Sequence, residues 1–129
     1  MGIKRIYLSH PYGGKAENRE KAAALARMYR EIWRHEGKNF ELINPLEIFE
    51  NVPTSVSDEV VLNAAIELLK GCDAVIFCDG WEKSHGCCME HNEAYIANKD
   101  VFFLDLKVEA AAVHWYGRHR LVVPRREAA

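Results

Sequence analysis

The segment Gly80-Trp81-Glu82-Lys83-Ser84-His85-Gly86-Cys87-Cys88-Met89-Glu90-His91-Asn92-Glu93-Ala94 gathers side chains able to do chemistry. Ser84 and Gly86 stand where a helix is expected to begin, with Glu90 about one turn further in. A helix start offers amide N–H groups without internal partners and a partial positive charge. An anion such as phosphate can dock there beside the Ser84 hydroxyl, with Gly86 removing a side chain at the point of approach. Gly86, Glu90, Ala94 and Ala97 fall on one otherwise small stripe, so Glu90 is the sole carboxylate on a face expected to pack inward. The alternative is that Ser84 is a plain helix cap and Glu90 a solvated surface residue.

The same segment admits two other chemistries. Cys87 and His91 are spaced i,i+4 with Cys88 and His85 adjacent, which suits a zinc ion. No second ligand pair at finger-like spacing accompanies them, and adjacent cysteines rarely share one tetrahedral ion, so neither metal nor cofactor is expected. Cys87 as a nucleophilic thiol would gain from a helix N-terminus that lowers its pKa, yet no His-Asp or His-Asn partner can be placed. Trp81 is read either as a cover over a bound ring or as a hydrophobic plug.

These residues need elements to hold them. Ile3–Ser9 reads as a strand stopped by His10-Pro11-Tyr12-Gly13-Gly14, where Pro and paired Gly demand a turn. Ala22, Leu25, Ala26, Tyr29, Ile32 and Trp33 recur at helical spacing over residues 16 to 35, and Gly37 closes that helix. Phe40–Ile43 reads as a second strand, followed by a loop to Ser57. Ser57-Asp58-Glu59 caps a second helix over 58–70, and Asp73–Cys78 is a continuous apolar run, the pattern of a strand covered on both faces. A loop at 79–84, a helix over Gly86–Asn98 and a fourth buried strand at Val101–Leu106 follow. Glu109–Tyr116 reads as a short helix and Leu121–Val123 as a fifth strand before a basic tail.

This order predicts an α/β fold, a Rossmann- or flavodoxin-like three-layer sandwich whose parallel sheet of four to five strands carries helices on both faces. Ligands in such sheets sit beyond the carboxyl ends of the strands, which places a site between loops 9–18 and 79–86. At 129 residues the whole chain, 1–129, is read as one domain. Seventeen Lys and Arg against nineteen Asp and Glu leave a net charge of −2, too little positive field for a nucleic-acid polymer, and the aromatics do not interleave with a basic stripe. The apolar runs are far too short to span a bilayer, and Met1-Gly2-Ile3-Lys4-Arg5 leads into a strand without a signal sequence, so the expectation is a cytoplasmic protein with no membrane partner. Cys72, Cys78, Cys87 and Cys88 lack CxxC spacing and are read as free thiols.

The pattern Ser84-x-Gly86-x-x-x-Glu90-x-x-x-Ala94, preceded by Cys72-Asp73-Ala74 and Gly80-Trp81, resembles the nucleoside 2-deoxyribosyltransferase-like superfamily. The likeness is greatest to its small phage and bacterial members of unassigned function and to its deoxynucleotide N-hydrolases. Ile6-Tyr7-Leu8-Ser9 with the Pro/Gly loop, Asn18 at a helix start and Ile43-Asn44-Pro45 extend the resemblance over most of residues 3–105. It implies that Glu90, ionised, is a nucleophile attacking C1′ of a 2-deoxyribosyl unit, leaving a covalent sugar ester, and that Tyr7 lies by the nucleophile. A strand aromatic filling the core is the other reading of Tyr7. Relatives acting on free nucleosides place Asp where Ser84 stands. Ser84 therefore implies a 5′-monophosphate substrate, because an Asp would repel it.

Ser9, His10, Gly13, Gly14, Asn18, Arg19, Asp79 and Trp81 complete the substrate-binding set, with Lys15 either in the phosphate pocket or a solvated charge. Many relatives carry an Asp that protonates the leaving base where this chain has Ala65, and His10, Asp79 or His85 are the candidates to replace it. The expectation is an N-glycosidase acting on a small-molecule deoxynucleotide and assembling as a homodimer or higher homo-oligomer. A base-exchanging transferase and a non-catalytic nucleotide-binding module are the alternatives.

Overall fold

In the computed structural model, described over residues 2–104 and 106–116, the chain alternates strands and helices. The order is β1 (Lys4–Ser9), α1 (Ala16–His35), β2 (Phe40–Ile43), α2 (Pro45–Ile48), α3 (Asp58–Lys70), β3 (Ala74–Phe77), a single 3-10 turn (Trp81–Lys83), α4 (His85–Ile96), β4 (Asp100–Phe103) and α5 (Leu106–Tyr116). The strands form one sheet in the order β2-β1-β3-β4, parallel throughout, with Tyr7 opposite Ile43 on one side and Val75 on the other.

The period-2 alternation of strand side chains divides the interior into two cores. Ile6 and Leu8 of β1, Leu42 of β2 and Ala74 and Ile76 of β3 point to the face covered by α1 and α5, where they meet Ala22, Leu25, Ala26, Trp33 and Ala112. Tyr7, Val75 and Phe77 point the other way, against Ala65 and Leu69 of α3 and Ala94 of α4. Helices on both faces of a parallel sheet are what the sequence order predicted. Burying a Leu-sized side chain in either layer contributes roughly 1.5–3 kcal/mol.

The helix ends follow local chemistry. Ser57 accepts from the Val60 amide and Ser84 from the Cys87 amide, while Gly37, at φ +66°, reverses the chain after α1.

Four expectations are corrected. The stretch after β2 contains a helical turn, α2, because Asn44 accepts from the Leu46 amide and Pro45 is preset at its first position. The strand expected at Val101–Leu106 spans Asp100–Phe103 and is not buried: it is an edge, with Phe102 56% and Phe103 58% exposed. An apolar run cannot distinguish a central strand from an edge one. The last helix begins at Leu106, three residues earlier than the period suggested. Ile32 and Ala97, counted on inward faces, are exposed. The fifth strand expected at Leu121–Val123 lies outside the described residues. Among the described residues no helix is long and apolar enough to cross a membrane.

Candidate functional site

Glu90 lies at the carboxyl edge of the sheet, on the α3/α4 face, with 6% of its surface exposed. Two β1 side chains that point to that face hold both of its oxygens. The Tyr7 hydroxyl donates to Oε2, and the Ser9 hydroxyl donates to Oε1 at 2.8 Å. Tyr7 and Ser9 are themselves fully buried. Residues 81 and 83 positions apart in sequence therefore meet because Tyr7 and Ser9 share a strand face and Glu90 sits on the turn of α4 that covers it.

The electrostatics follow from this seclusion. Burial pushes the Glu90 carboxyl up from its ordinary value, and the hydrogen bonds from Tyr7 and Ser9 draw it partly back. Burial, reinforced by the Glu90 charge, drives the Tyr7 phenol well above its ordinary value of 10.0, so Tyr7 stays a donor. Burial likewise pushes the Cys87 thiol up to about 11, overriding the helix N-terminus expected to lower it, so a nucleophilic thiolate finds no support.

Ser84 accepts from the Cys87 amide at 3.3 Å and its carbonyl accepts from the Cys88 amide, so it does cap α4. A Cβ on Gly86 would meet only Leu62 Cδ1 at 3.7 Å, an ordinary contact, so the fold by itself does not require glycine there. Cys87, rather than Gly86, turns fully inward.

The loop after β1 is closed by its own residues. Gly13 and Gly14 adopt positive φ, Asn18 Nδ2 donates to the Tyr12 carbonyl at 2.9 Å, and the Arg19 guanidinium lies over the Tyr12 ring and donates to its hydroxyl. Asn18 and Arg19 thus both bond Tyr12, with the Arg19 Nε left buried and without a hydrogen-bond partner. Arg19 also lines a cleft of about 210 Å³ between α1 and α2, with Arg27, Arg30, Asn44, Glu47 and Glu50. That cleft touches none of Tyr7, Ser9, Ser84 or Glu90, and Arg30 is already paired with Glu47 at 3.1 Å. Chemistry, not volume, marks the site.

On the opposite rim, Gly80 at φ +84° turns the chain after β3, where a Cβ would meet Pro11 Cγ at 3.7 Å, so the two loops touch. Trp81 is half-buried. Its ring stacks on His91 at 4.6 Å and contacts Phe77 and Phe103 at 5.2 and 5.6 Å, as a plug would. His91 is thereby turned to Trp81, and among the described residues no three His, Cys, Asp or Glu side chains come together to hold a metal. Asp79 and His85 are exposed, Lys15 is exposed, and Ala65 is buried against the sheet with no carboxylate at its place.

His10 is buried, with Nδ1 2.7 Å from the Pro11 carbonyl and Nε2 3.4 Å from Glu109 of α5. The sequence reading missed Glu109. The signal was there: a lone carboxylate within the apolar stretch Val108–Val113, the same argument that singled out Glu90.

The fold has a counterpart among solved structures. A chain described as a 2-desoxiribosyltransferase from Leishmania mexicana superposes with a TM-score of 0.57 at 22% identity, over 78% of this chain. The chain spans 63% of that neighbour's length. No curated protein matches the chain. A family model does, and it runs from the first residue of β1 to the last of β4, residues 4–103, taking in the sheet, both rim loops, Glu90 and the two hydroxyls bonded to it. The chain therefore belongs to the family described as a domain of unknown function, DUF4406.

Proposed function

We propose that this DUF4406 chain is an N-glycosidase that cleaves the bond between base and sugar in a 2′-deoxynucleoside 5′-monophosphate. The observation that carries the reading is a buried carboxylate whose two oxygens are held by two hydroxyl donors, with no cationic side chain bonded to it among the described residues. Such a group suits an oxocarbenium-like centre, since it stabilises developing positive charge and can bond to it. In the proposed reaction one Glu90 oxygen attacks C1′, the bond to the base breaks with its electron pair leaving on the base, and the resulting glycosyl ester is opened by water. Tyr7 and Ser9 keep the carboxylate in one orientation, and desolvation strengthens its interaction with the cationic sugar.

The likeness of fold to a deoxyribosyltransferase supports this class of chemistry, and Ser84 at the head of α4 supports a phosphate at the sugar's 5′ end. A homodimer stays part of the proposal: Tyr95 and Ile96 of α4 and Phe102 and Phe103 of β4 leave apolar surface open at one edge of the sheet. Sedimentation of wild type and of Ile96→Asp tests it, with dissociation expected in the variant.

The reaction is tested by base release from deoxynucleoside and ribonucleoside monophosphates and free nucleosides, using wild type and Glu90→Gln. Release from deoxynucleotides alone, lost in the variant, is the expected result. Capture of the sugar by an added second base faster than by water would make the chain a transferase. No release, with a nucleotide still raising the melting temperature, would replace the enzyme by a binding module lacking the acid absent at Ala65.

A further inference from the structure

Two buried polar side chains at the carboxyl edge of the sheet take no part in the chemistry proposed for Glu90: His10, at the exit of β1, and Glu109, on α5. Their hydrogen bonding can be resolved atom by atom. His10 Nδ1 lies 2.7 Å from the Pro11 carbonyl oxygen, and a carbonyl only accepts, so Nδ1 carries a hydrogen. Nε2 lies 3.4 Å from Glu109 Oε1, an ion-pair distance longer than a formed hydrogen bond, and has no other hydrogen-bonding partner. A bare lone pair there would set two acceptors against each other in a nearly dry place, at the full cost of unpaired buried polar atoms. The close approach of Nε2 and Oε1 therefore calls for one proton, carried by either partner.

The second oxygen of Glu109 has a different task. The β1–β3 ladder ends where the Cys78 amide donates to the Ser9 carbonyl at 3.0 Å. The next amide, Asp79, has run past the end of β1, and Glu109 Oε2 accepts it at 3.1 Å, supplying the rung that the strands no longer provide. One carboxylate of α5 thus grips both exits, β1 through His10 and β3 through Asp79. These exits open the two loops that meet at Pro11 and Gly80, and Ser9, which donates to Glu90, immediately precedes His10.

We propose that His10 and Glu109 form a positioning pair that fastens α5 to both rim loops and thereby fixes the Ser9 hydroxyl on Glu90. The pair makes α5 part of the site although Glu109 itself does not bond to Glu90. Among the described residues, Lys21 and Tyr29 of α1 and the Cys78 thiol beyond β3 also feel Glu109, while His10 is the residue at ion-pair distance from it. The link to catalysis rests on the glycosidase reading, whereas the link to Glu90 geometry does not.

The test uses the full chain with Glu109→Gln, which keeps an oxygen for the Asp79 amide but no charge, Glu109→Ala, which keeps neither, and His10→Asn. In wild type, nitrogen NMR of the His10 ring should place a hydrogen on Nδ1, toward the Pro11 carbonyl. The Asp79 amide should exchange about tenfold faster in Glu109→Ala, and much less so in Glu109→Gln. Carbon NMR should place the Glu90 titration at higher pH in Glu109→Ala and His10→Asn than in wild type, because a displaced Ser9 no longer stabilises the carboxylate.

A bare His10 Nδ1 in wild type, unchanged Asp79 exchange, or a Glu90 titration identical in every variant would each overturn the pair as a positioning unit. Where base release is measurable, kcat should fall about tenfold in Glu109→Ala with KM little changed, and equal kcat would likewise count against it. Absence of base release from wild type would sink the glycosidase and leave the pair to be decided by the three spectroscopic readings.

Discussion

Two buried glutamates stand at the same edge of one sheet, one on each face, and their surroundings differ in kind. On the α1/α5 side, burial alone would push Glu109 up, but His10, the Asp79 amide and the charge of Lys21 together hold it below its ordinary value of 4.5. On the α3/α4 side, burial pushes Glu90 up and only two neutral hydroxyls oppose it, so the net shift is upward. The contrast is between a carboxylate given a counter-charge and one denied it. The first is settled in its protein setting and ties elements together. The second keeps unspent attraction for an electron-poor centre brought by a ligand, and the fold carries it at a cost in stability.

The sharpest way to break this contrast is Glu90→Gln. We predict that base release falls by at least about a thousandfold, the scale expected when a nucleophile is removed, while the melting temperature at pH 7 rises. The sign follows from linkage. A carboxyl that titrates higher in the folded chain than in the unfolded one contributes stability that is complete below its unfolded value and lost as pH rises through the folded one. The gain in melting temperature should therefore vanish in acid. A variant less stable than wild type at pH 7 would show that Glu90 is not the strained partner of the two.

Next in size is the dry side. Leu25 of α1 and Leu8 of β1 are fully buried where that helix packs on the sheet, and Leu25→Ala should cost about 2–5 kcal/mol by denaturant unfolding. A cost under 1 kcal/mol would mean that this face is no better packed than the one carrying the site.

Tyr7→Phe sharpens the other half. Removing a donor to a buried carboxylate should lower base release by about ten- to a hundredfold and move the acid limb of the activity profile to higher pH, since the Tyr7 hydrogen bond draws the Glu90 carboxyl down. An acid limb that stays in place would mean that Tyr7 only fills space.

Glu109 should show a dependence opposite to that of Glu90. Its lowered carboxyl contributes stability present above the ordinary value of 4.5 and lost as pH falls through the lower folded value. Glu109→Gln should thus flatten the acid side of the melting-temperature profile, and an unchanged profile would remove its counter-charge from the account. The smallest effect is expected at Val60→Ser on exposed α3 surface, within about 0.5 kcal/mol by denaturant unfolding. A larger loss would point to that surface being covered in an assembly.

Much of this architecture is legible in the residues themselves. The turn at His10–Gly14, the caps at Ser57 and Ser84, the Gly37 stop and the helical period of residues 16 to 35 are local features, and they appear where local chemistry puts them. The parallel sheet follows from the order of elements. The stripe of Gly86, Glu90 and Ala94 left Glu90 open between a buried and a solvated carboxylate, and the family resemblance singled it out.

The direction of Arg19 was not legible, since proximity in sequence to a glycine loop says nothing of which side of the helix faces the ligand. Its guanidinium went to Tyr12. Nor was the exposure of β4, because an apolar run reads alike in a covered strand and at an uncovered edge. The one-turn helix α2 rests on a single cap and a proline, too short a signal for any period.

What the sequence determined alone is therefore most of the elements and their order, because these depend on residue types at short range, while the resemblance of its motifs named the carboxylate worth following. What only tertiary structure decided is which side chains share a face at the sheet's edge: that both hydroxyls of β1 reach Glu90, that Asn18 and Arg19 turn away from it, and that α5 brings Glu109 to His10 and Asp79. The physical reason is that a charge acquires its character from desolvation and neighbours, and both are fixed by packing between residues far apart in the chain.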